Sequence, residues 1–209
     1  MPRLSLMTLP PSPYNTKVRL ALKLKNLEFD AIPVGVENRE DVIEHSGQPL
    51  TPVLLDGDRV VYDSFGILRY LDANWPEPRL FDADRDRQRQ IQEWENFSRE
   101  VGATLGLIAR QAFSGVVDDD ATRKFEERFA TLPERVEAAL ENSDYLMGDQ
   151  LNAADLSVAP FFQYAVLDPA KQDNPALAFV SERVNLDPRF AKTKAWIERV
   201  MQLDAVPVG

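Results

Sequence analysis

The 209-residue chain predicts an α/β half followed by an all-α half. Three observations carry this expectation. Over roughly the first 75 residues, short runs of strand character alternate with helical ones. The stretch TPVLLDGDRVVY, residues 51–62, reads as two apolar strands joined by a tight turn at Asp56-Gly57. From Asp84 onward strand patterns stop, and apolar residues recur only at helical spacing.

Taken in order, residues 3–9 alternate weakly and are rich enough in leucine for a buried strand. Residues 16–25 follow as a helix, with Val18, Leu20, Ala21 and Leu22 on an apolar side and Lys17, Lys23 and Lys25 on a wet one. Residues 28–34 read as a second strand and 39–45 as a short helix. After the hairpin a third helix runs from Ser64 until the prolines of NWPEP stop it. The order is β-α-β-α-β-β-α, which calls for a parallel βαβ pair extended by an antiparallel hairpin. Residues 1–76 form this domain and 77–86 a linker. Residues 87–209 form the helical domain.

In the helical half, Ile91, Trp94, Phe97, Val101, Leu105, Ile108 and Ala112 make one long stripe. A second helix is expected over residues 120–142, kinked at Pro133. A third starts near Asn152 and a last one at Asp187-Pro188.

Composition narrows the function. A net charge of −10 speaks against nucleic acid and anionic membrane surfaces as partners. No apolar run approaches the roughly 18–20 residues of a membrane span, and no secretory signal is visible, so cytoplasmic residence is expected. With no cysteine there is no disulfide, protein thiol nucleophile or thiolate metal site. The single histidine, His45, excludes a histidine-rich metal site, and no metal is expected.

Three helix starts carry polar caps. Asn152 with Asp155 three residues later is a short-armed capping box, with Leu151 and Leu156 placed as a hydrophobic staple. This pair is structural. Asp63-Ser64 caps a helix, but a helix N-terminus with free NH groups and a hydroxyl is also a carboxylate site. Ser12-Pro13 is a good cap and first-turn proline.

Four segments together resemble the cytosolic glutathione transferases, in a serine-type, bacterial-like form. SPYNTKVRLALKLKNLEFD resembles that family's first active-site turn and helix, and TPVLLDGDRVVYDSFGILRYLDANWP its cis-proline hairpin and third helix. LMGDQLNAADLSVAP resembles its capped core helix, and DPRFAKTKAWIERVMQLDAV its last helix. The resemblance spans essentially the whole chain and implies a thioredoxin-like first domain. It also implies glutathione as co-substrate, a small-molecule electrophile and a homodimer.

Residue by residue, the resemblance places Ser12 where serine-type members carry the hydroxyl that meets the glutathione sulfur, with capping as the alternative reading. Tyr14 and Asn15 are alternative donors to the thiolate. A cis bond at Thr51-Pro52 is implied, with Val53 offering backbone to the cysteinyl residue. Ser64 would bind the γ-glutamyl carboxylate and Asp63 the amino group. The family's lysine for the glycyl carboxylate is replaced by Leu50, which leaves Gln48, or else His45, although an exposed helix-end histidine suits His45 better. The electrophile pocket is expected at Leu9, Pro10, Phe97, Val101, Leu105 and Arg110. Relatives include non-catalytic glutathione-binding scaffolds and specialised isomerases, dehalogenases or ether-cleaving enzymes. These stand as alternatives to conjugation of a small apolar electrophile.

Overall fold

The structure is a computed structural model that describes residues 4–9 and 12–204. Strands β1 (Leu4–Thr8), β2 (Phe29–Pro33), β3 (Val53–Asp56) and β4 (Arg59–Tyr62) form a mixed sheet in the order β2-β1-β3-β4. β1 runs parallel to β2, with Leu6 opposite Ala31, and antiparallel to β3, with Leu6 opposite Leu54. The crossover between β1 and β2 is helix α1 (Pro13–Leu24); α2 (Glu40–Ser46) links β2 to β3, and α3 (Ser64–Asn74) follows β4. The β3–β4 hairpin closes over Gly57-Asp58, where Asp56 pairs with Arg59 and Gly57 takes a positive φ of 59°. These elements make the thioredoxin-like arrangement that the order β-α-β-α-β-β-α implied.

Strand periodicity sorts the sheet's side chains onto two faces. Met7 and Val53 pack with Val42 of α2 on one. Leu4, Leu6 and Leu54 alternate to the other face and are also buried, and α1 and α3 pack against each other. α1 is therefore not half wet. Lys17 and Lys25, expected on a solvent face, are both buried because each finds partners. Lys25 donates to the Asp72 carboxylate at 2.9 Å and to the carbonyls of Trp75 (2.5 Å) and Pro78 (2.8 Å). Asp72 also accepts from the Leu80 and Phe81 amides, so one ion pair fixes the chain beyond α3.

The second half is helical: α4 (Arg85–Ser114), α5 (Asp119–Phe129), α6 (Leu132–Ala139), α7 (Ala153–Phe162), α8 (Pro175–Arg183) and α9 (Ala191–Met201), with short 3-10 turns after α7. The α4 stripe is buried from Ile91 to Ile108 as its spacing predicted, with Ala112 half-buried, and Phe97 packs against Trp94 and Phe162. The helix expected over 120–142 is two helices. Pro133 sits in the first turn of α6, where its missing NH costs nothing, instead of kinking a continuous helix. α8 was not anticipated, although Asn174-Pro175 is a full start signal: Asn174 accepts from the Ala176 and Leu177 amides.

Asp187-Pro188 begins a turn rather than the last helix, and α9 starts at Ala191. Its cap comes from a distant residue: the Glu137 carboxylate of α6 accepts from the Lys192 and Thr193 amides and the Thr193 hydroxyl.

Cα packing divides the chain into two units. One is Met1–Asp84 together with Leu203–Val208; the other is Arg85–Gln202. The boundary falls between Asp84 and Arg85. Asp204 returns to the first unit because Arg19 of α1 meets its carboxylate at 2.7 Å and Lys23 at 3.3 Å.

Candidate functional site

The start of α1, the turn before β3 and the start of α3 carry most of the residues singled out above. Ser12 caps α1 with its backbone alone. Its carbonyl accepts from the Asn15 and Thr16 amides at 3.0 Å and from the Thr16 hydroxyl at 3.2 Å, while its own NH donates to Leu9. Its side chain makes no capping hydrogen bond. The hydroxyl at this helix start is therefore not spent on the helix.

Asn15, an alternative thiolate donor by resemblance, is fully buried and works as a strut. Its Oδ1 accepts from the Leu9 amide and its Nδ2 donates to Thr51 Oγ1, each at 3.2 Å. Tyr14 is exposed, with its ring 5.8 Å from the Lys17 ammonium.

The Thr51-Pro52 peptide is cis. Val53, however, has strands on both sides, paired with Met7 of β1 and Tyr62 of β4. Its backbone groups face a neighbouring strand and offer no open edge, which corrects the expectation that Val53 pairs with an added peptide. Thr51 lies outside those ladders. Gln48 is also engaged locally: Nε2 donates to Ser46 Oγ and the Leu50 carbonyl, and Oε1 accepts from the Leu50 amide. The Gln48 amide shapes its own loop. His45 is exposed, its Nδ1 2.8 Å from the Asp41 carbonyl.

At α3, Asp63 adopts φ 66° and ψ 118°, a conformation rare for a residue with a side chain. Such strain costs on the order of 1–3 kcal/mol and concentrates at functional sites. Asp63 is exposed, and its carboxylate accepts from the Phe65 amide at 3.4 Å. The next residue, Ser64, is buried, and its hydroxyl accepts from Lys17 Nζ at 3.4 Å. The same ammonium lies 3.2 Å from the centre of the Phe65 ring. The sequence places Lys17 on the wet side of α1; its burial is set by α3, far along the chain.

The residues expected at the electrophile pocket divide. Leu9 is half-buried in the first unit, and Pro10 lies outside the described residues. Phe97, Val101 and Leu105 belong to the buried stripe of α4, and Phe97 is packed between two aromatic rings. They are core side chains, for the ordinary reason that an amphipathic helix buries its apolar face. Arg110 is exposed.

The Asn152–Asp155 capping box is present and does more than cap. Asn152 Oδ1 accepts from the Ala154 amide at 2.9 Å, and the Asp155 carboxylate accepts from the Asn152 amide at 3.1 Å. That carboxylate also takes the Leu146 amide and the Trp196 indole NH, both at 2.9 Å. Burial pushes the Asp155 pKa up to about 6 against the pull of these donors. Among the described residues no group of three or more His, Asp or Glu is placed to hold a metal ion, and no helix is long and apolar enough to cross a membrane.

A thioredoxin-like unit with a cis-proline turn and a hydroxyl at its first helix, joined to a helical unit with a buried capping box, defines the two-domain architecture of glutathione-dependent transferases. Comparison with known proteins agrees. Residues 11–74 match the family description "Glutathione S-transferase, N-terminal domain", and residues 118–199 match "Glutathione S-transferase, C-terminal domain". Glutathione S-transferase Z2 of Arabidopsis thaliana is 31% identical over 159 residues, covering 69% of this chain and 68% of that protein. Glutathione S-transferase Z1 of the same plant is 29% identical over 189 residues, covering 83% of each. In fold, a glutathione S-transferase from Rhodospirillum rubrum superposes with a TM-score of 0.76 at 22% identity, over 98% of this chain and 89% of that one. A rice glutathione S-transferase solved in complex with glutathione gives 0.76 at 21% identity, over 98% and 88%. The chain belongs to the glutathione S-transferase superfamily and is a glutathione S-transferase enzyme.

Proposed function

We propose that the protein ionises the thiol of glutathione against the Ser12 hydroxyl and adds the thiolate to a small apolar electrophile. The observation that carries this reading is the division of labour at Ser12: the backbone caps α1 and the hydroxyl does not. A sulfur seated there receives the O–H donor and feels the positive end of α1. A free thiol has a pKa near 8.5, and one hydrogen bond to a charged group contributes roughly 1.5–3 kcal/mol. Each pKa unit corresponds to about 1.4 kcal/mol, so a depression of one to two units is within reach. The thiol proton leaves to solvent, and the sulfur lone pair forms the new bond as the electrophile is added to or loses its leaving group.

The tripeptide's remaining contacts follow the site. Thr51 offers backbone at the cis turn, Ser64 and the free NH groups of α3 receive the γ-glutamyl carboxylate, and exposed Asp63 meets the amino group. Homodimer formation and cytoplasmic residence belong to the same reading. Exposed Val60 and Tyr62 on the edge strand β4 support the dimer.

Conjugation of an aryl halide by wild type and Ser12→Ala, beside calorimetric glutathione binding and an ultraviolet titration of the bound thiol, tests the proposal. Ser12→Ala is expected to retain binding, raise the bound-thiol pKa by one to two units and lose about 10–100-fold in rate. Unchanged rate and thiol pKa would sink the Ser12 assignment. Binding without turnover on a broad electrophile panel would favour a scaffold.

A further inference from the structure

We infer that Lys17 is a positioning residue that fixes the Ser64 hydroxyl as a donor, so that the start of α3 selects a ligand ending in a carboxylate. The inference rests on the proposed docking of the γ-glutamyl end of glutathione at Ser64 and adds to it the residue that sets the polarity of that contact. Lys17 is fully buried, although nothing in its local sequence demands it. Its Nζ lies 3.4 Å from Ser64 Oγ and 3.2 Å from the centre of the Phe65 ring.

An ammonium has three donors and no acceptor. In its contact with Ser64 the hydroxyl oxygen must therefore accept, and the hydroxyl proton must point elsewhere. Among the described residues no acceptor receives that proton. Ser64 is also the first residue of α3, so its backbone NH belongs to the turn that has no partner within the helix. The result is a hydroxyl donor and a backbone donor from one residue, at the positive end of a helix, with a buried cation behind them. A carboxylate presents only acceptors to such a place. A carboxamide or hydroxyl presents at least one donor against it. The Phe65 ring face holds the ammonium by its quadrupole and keeps it in register with the hydroxyl.

The test compares glutathione with an analogue whose γ-glutamyl α-carboxylate is converted to a carboxamide, both titrated calorimetrically. Wild type is expected to prefer glutathione by about tenfold or more. Lys17→Met is expected to lose about tenfold in affinity for glutathione while changing affinity for the carboxamide less than about threefold. Lys17→Arg should keep the preference, and adding Ser64→Ala to Lys17→Met should cost little more. A folded Lys17→Met that keeps the preference, or weakens both ligands equally, overturns the inference. Should Lys17→Met not fold, Ser64→Ala reads the same quantity with Lys17 untouched: it must lose the preference, and a retained preference overturns the donor geometry. Wild type that binds neither ligand at millimolar concentration overturns the functional reading beneath it.

Discussion

Asn15 Nδ2 donates to Thr51 Oγ1 at 3.2 Å, joining the first turn of α1 to the cis peptide that opens β3 across 36 positions of sequence. The other end of the same amide accepts from Leu9, so one buried side chain spaces the loop carrying Ser12 from the turn carrying Thr51. Those two places would meet neighbouring parts of one tripeptide.

Asn15→Ala should therefore behave as a spacing mutation. KM for glutathione is expected to rise about tenfold, as expected for a lost buried hydrogen bond, with a stability loss of about 1–3 kcal/mol. Thr51→Val, which removes only one end of the strut, should show the KM effect with a smaller stability loss. Steady-state kinetics and urea unfolding check this; a variant less stable but with unaltered KM would argue against it.

Asp155→Ala removes the acceptor of three NH groups at once, from Leu146, Asn152 and Trp196. A cap alone is worth about 1 kcal/mol, but each buried donor left unpaired costs about 1–3 kcal/mol. The expected loss is at least about 3 kcal/mol, or roughly 10 °C in Tm. Differential scanning calorimetry reads it directly, and a fall of only a degree or two would show that water replaces the carboxylate.

The same carboxylate gives stability a pH dependence of unusual sign. Burial raises its folded pKa from 3.8 to about 6, so the native state holds a proton that the unfolded state releases across that interval. The contribution is fully present below 3.8 and is lost as pH rises through about 6. Between pH 5 and pH 7.5, stability of wild type relative to Asp155→Asn should fall by about 1 kcal/mol. Urea unfolding of both proteins at the two pH values measures this, and a constant difference would refute it.

Glu137→Ala should loosen the start of α9 without unfolding the protein, because the Lys192 and Thr193 amides lose their only non-local acceptor named above. Hydrogen exchange at those two amides is expected to accelerate by about tenfold or more. Equal protection in wild type and variant would show that the helix caps itself.

Much of this molecule is written locally. The β3–β4 turn at Gly57-Asp58, one residue beyond the expected Asp56-Gly57, the α4 stripe and the Asn152 box are each specified within a few residues, by backbone preference, helical period and side-chain reach. The start of α8 was equally legible in Asn174-Pro175. What local pattern does not contain is partnership over distance. Lys17 and Lys25 look like solvent-facing cations until Phe65 and Ser64, or Asp72 and two carbonyls, are brought over them. Asp187-Pro188 has the grammar of a helix start, yet Glu137 moves that start to Ala191. Gln48 and Asn15 read as free amides by residue type, and only tertiary contacts reveal that the first is tied into its own loop and the second into the Thr51 turn.

The pairing of Arg19 with Asp204 makes the chain's far end a component of its beginning. A gene fragment cut after residue 84 would encode every strand of the sheet but omit the carboxylate that faces α1 from the inside. Grafting this half onto a foreign helical partner thus requires that Asp204 travel with it.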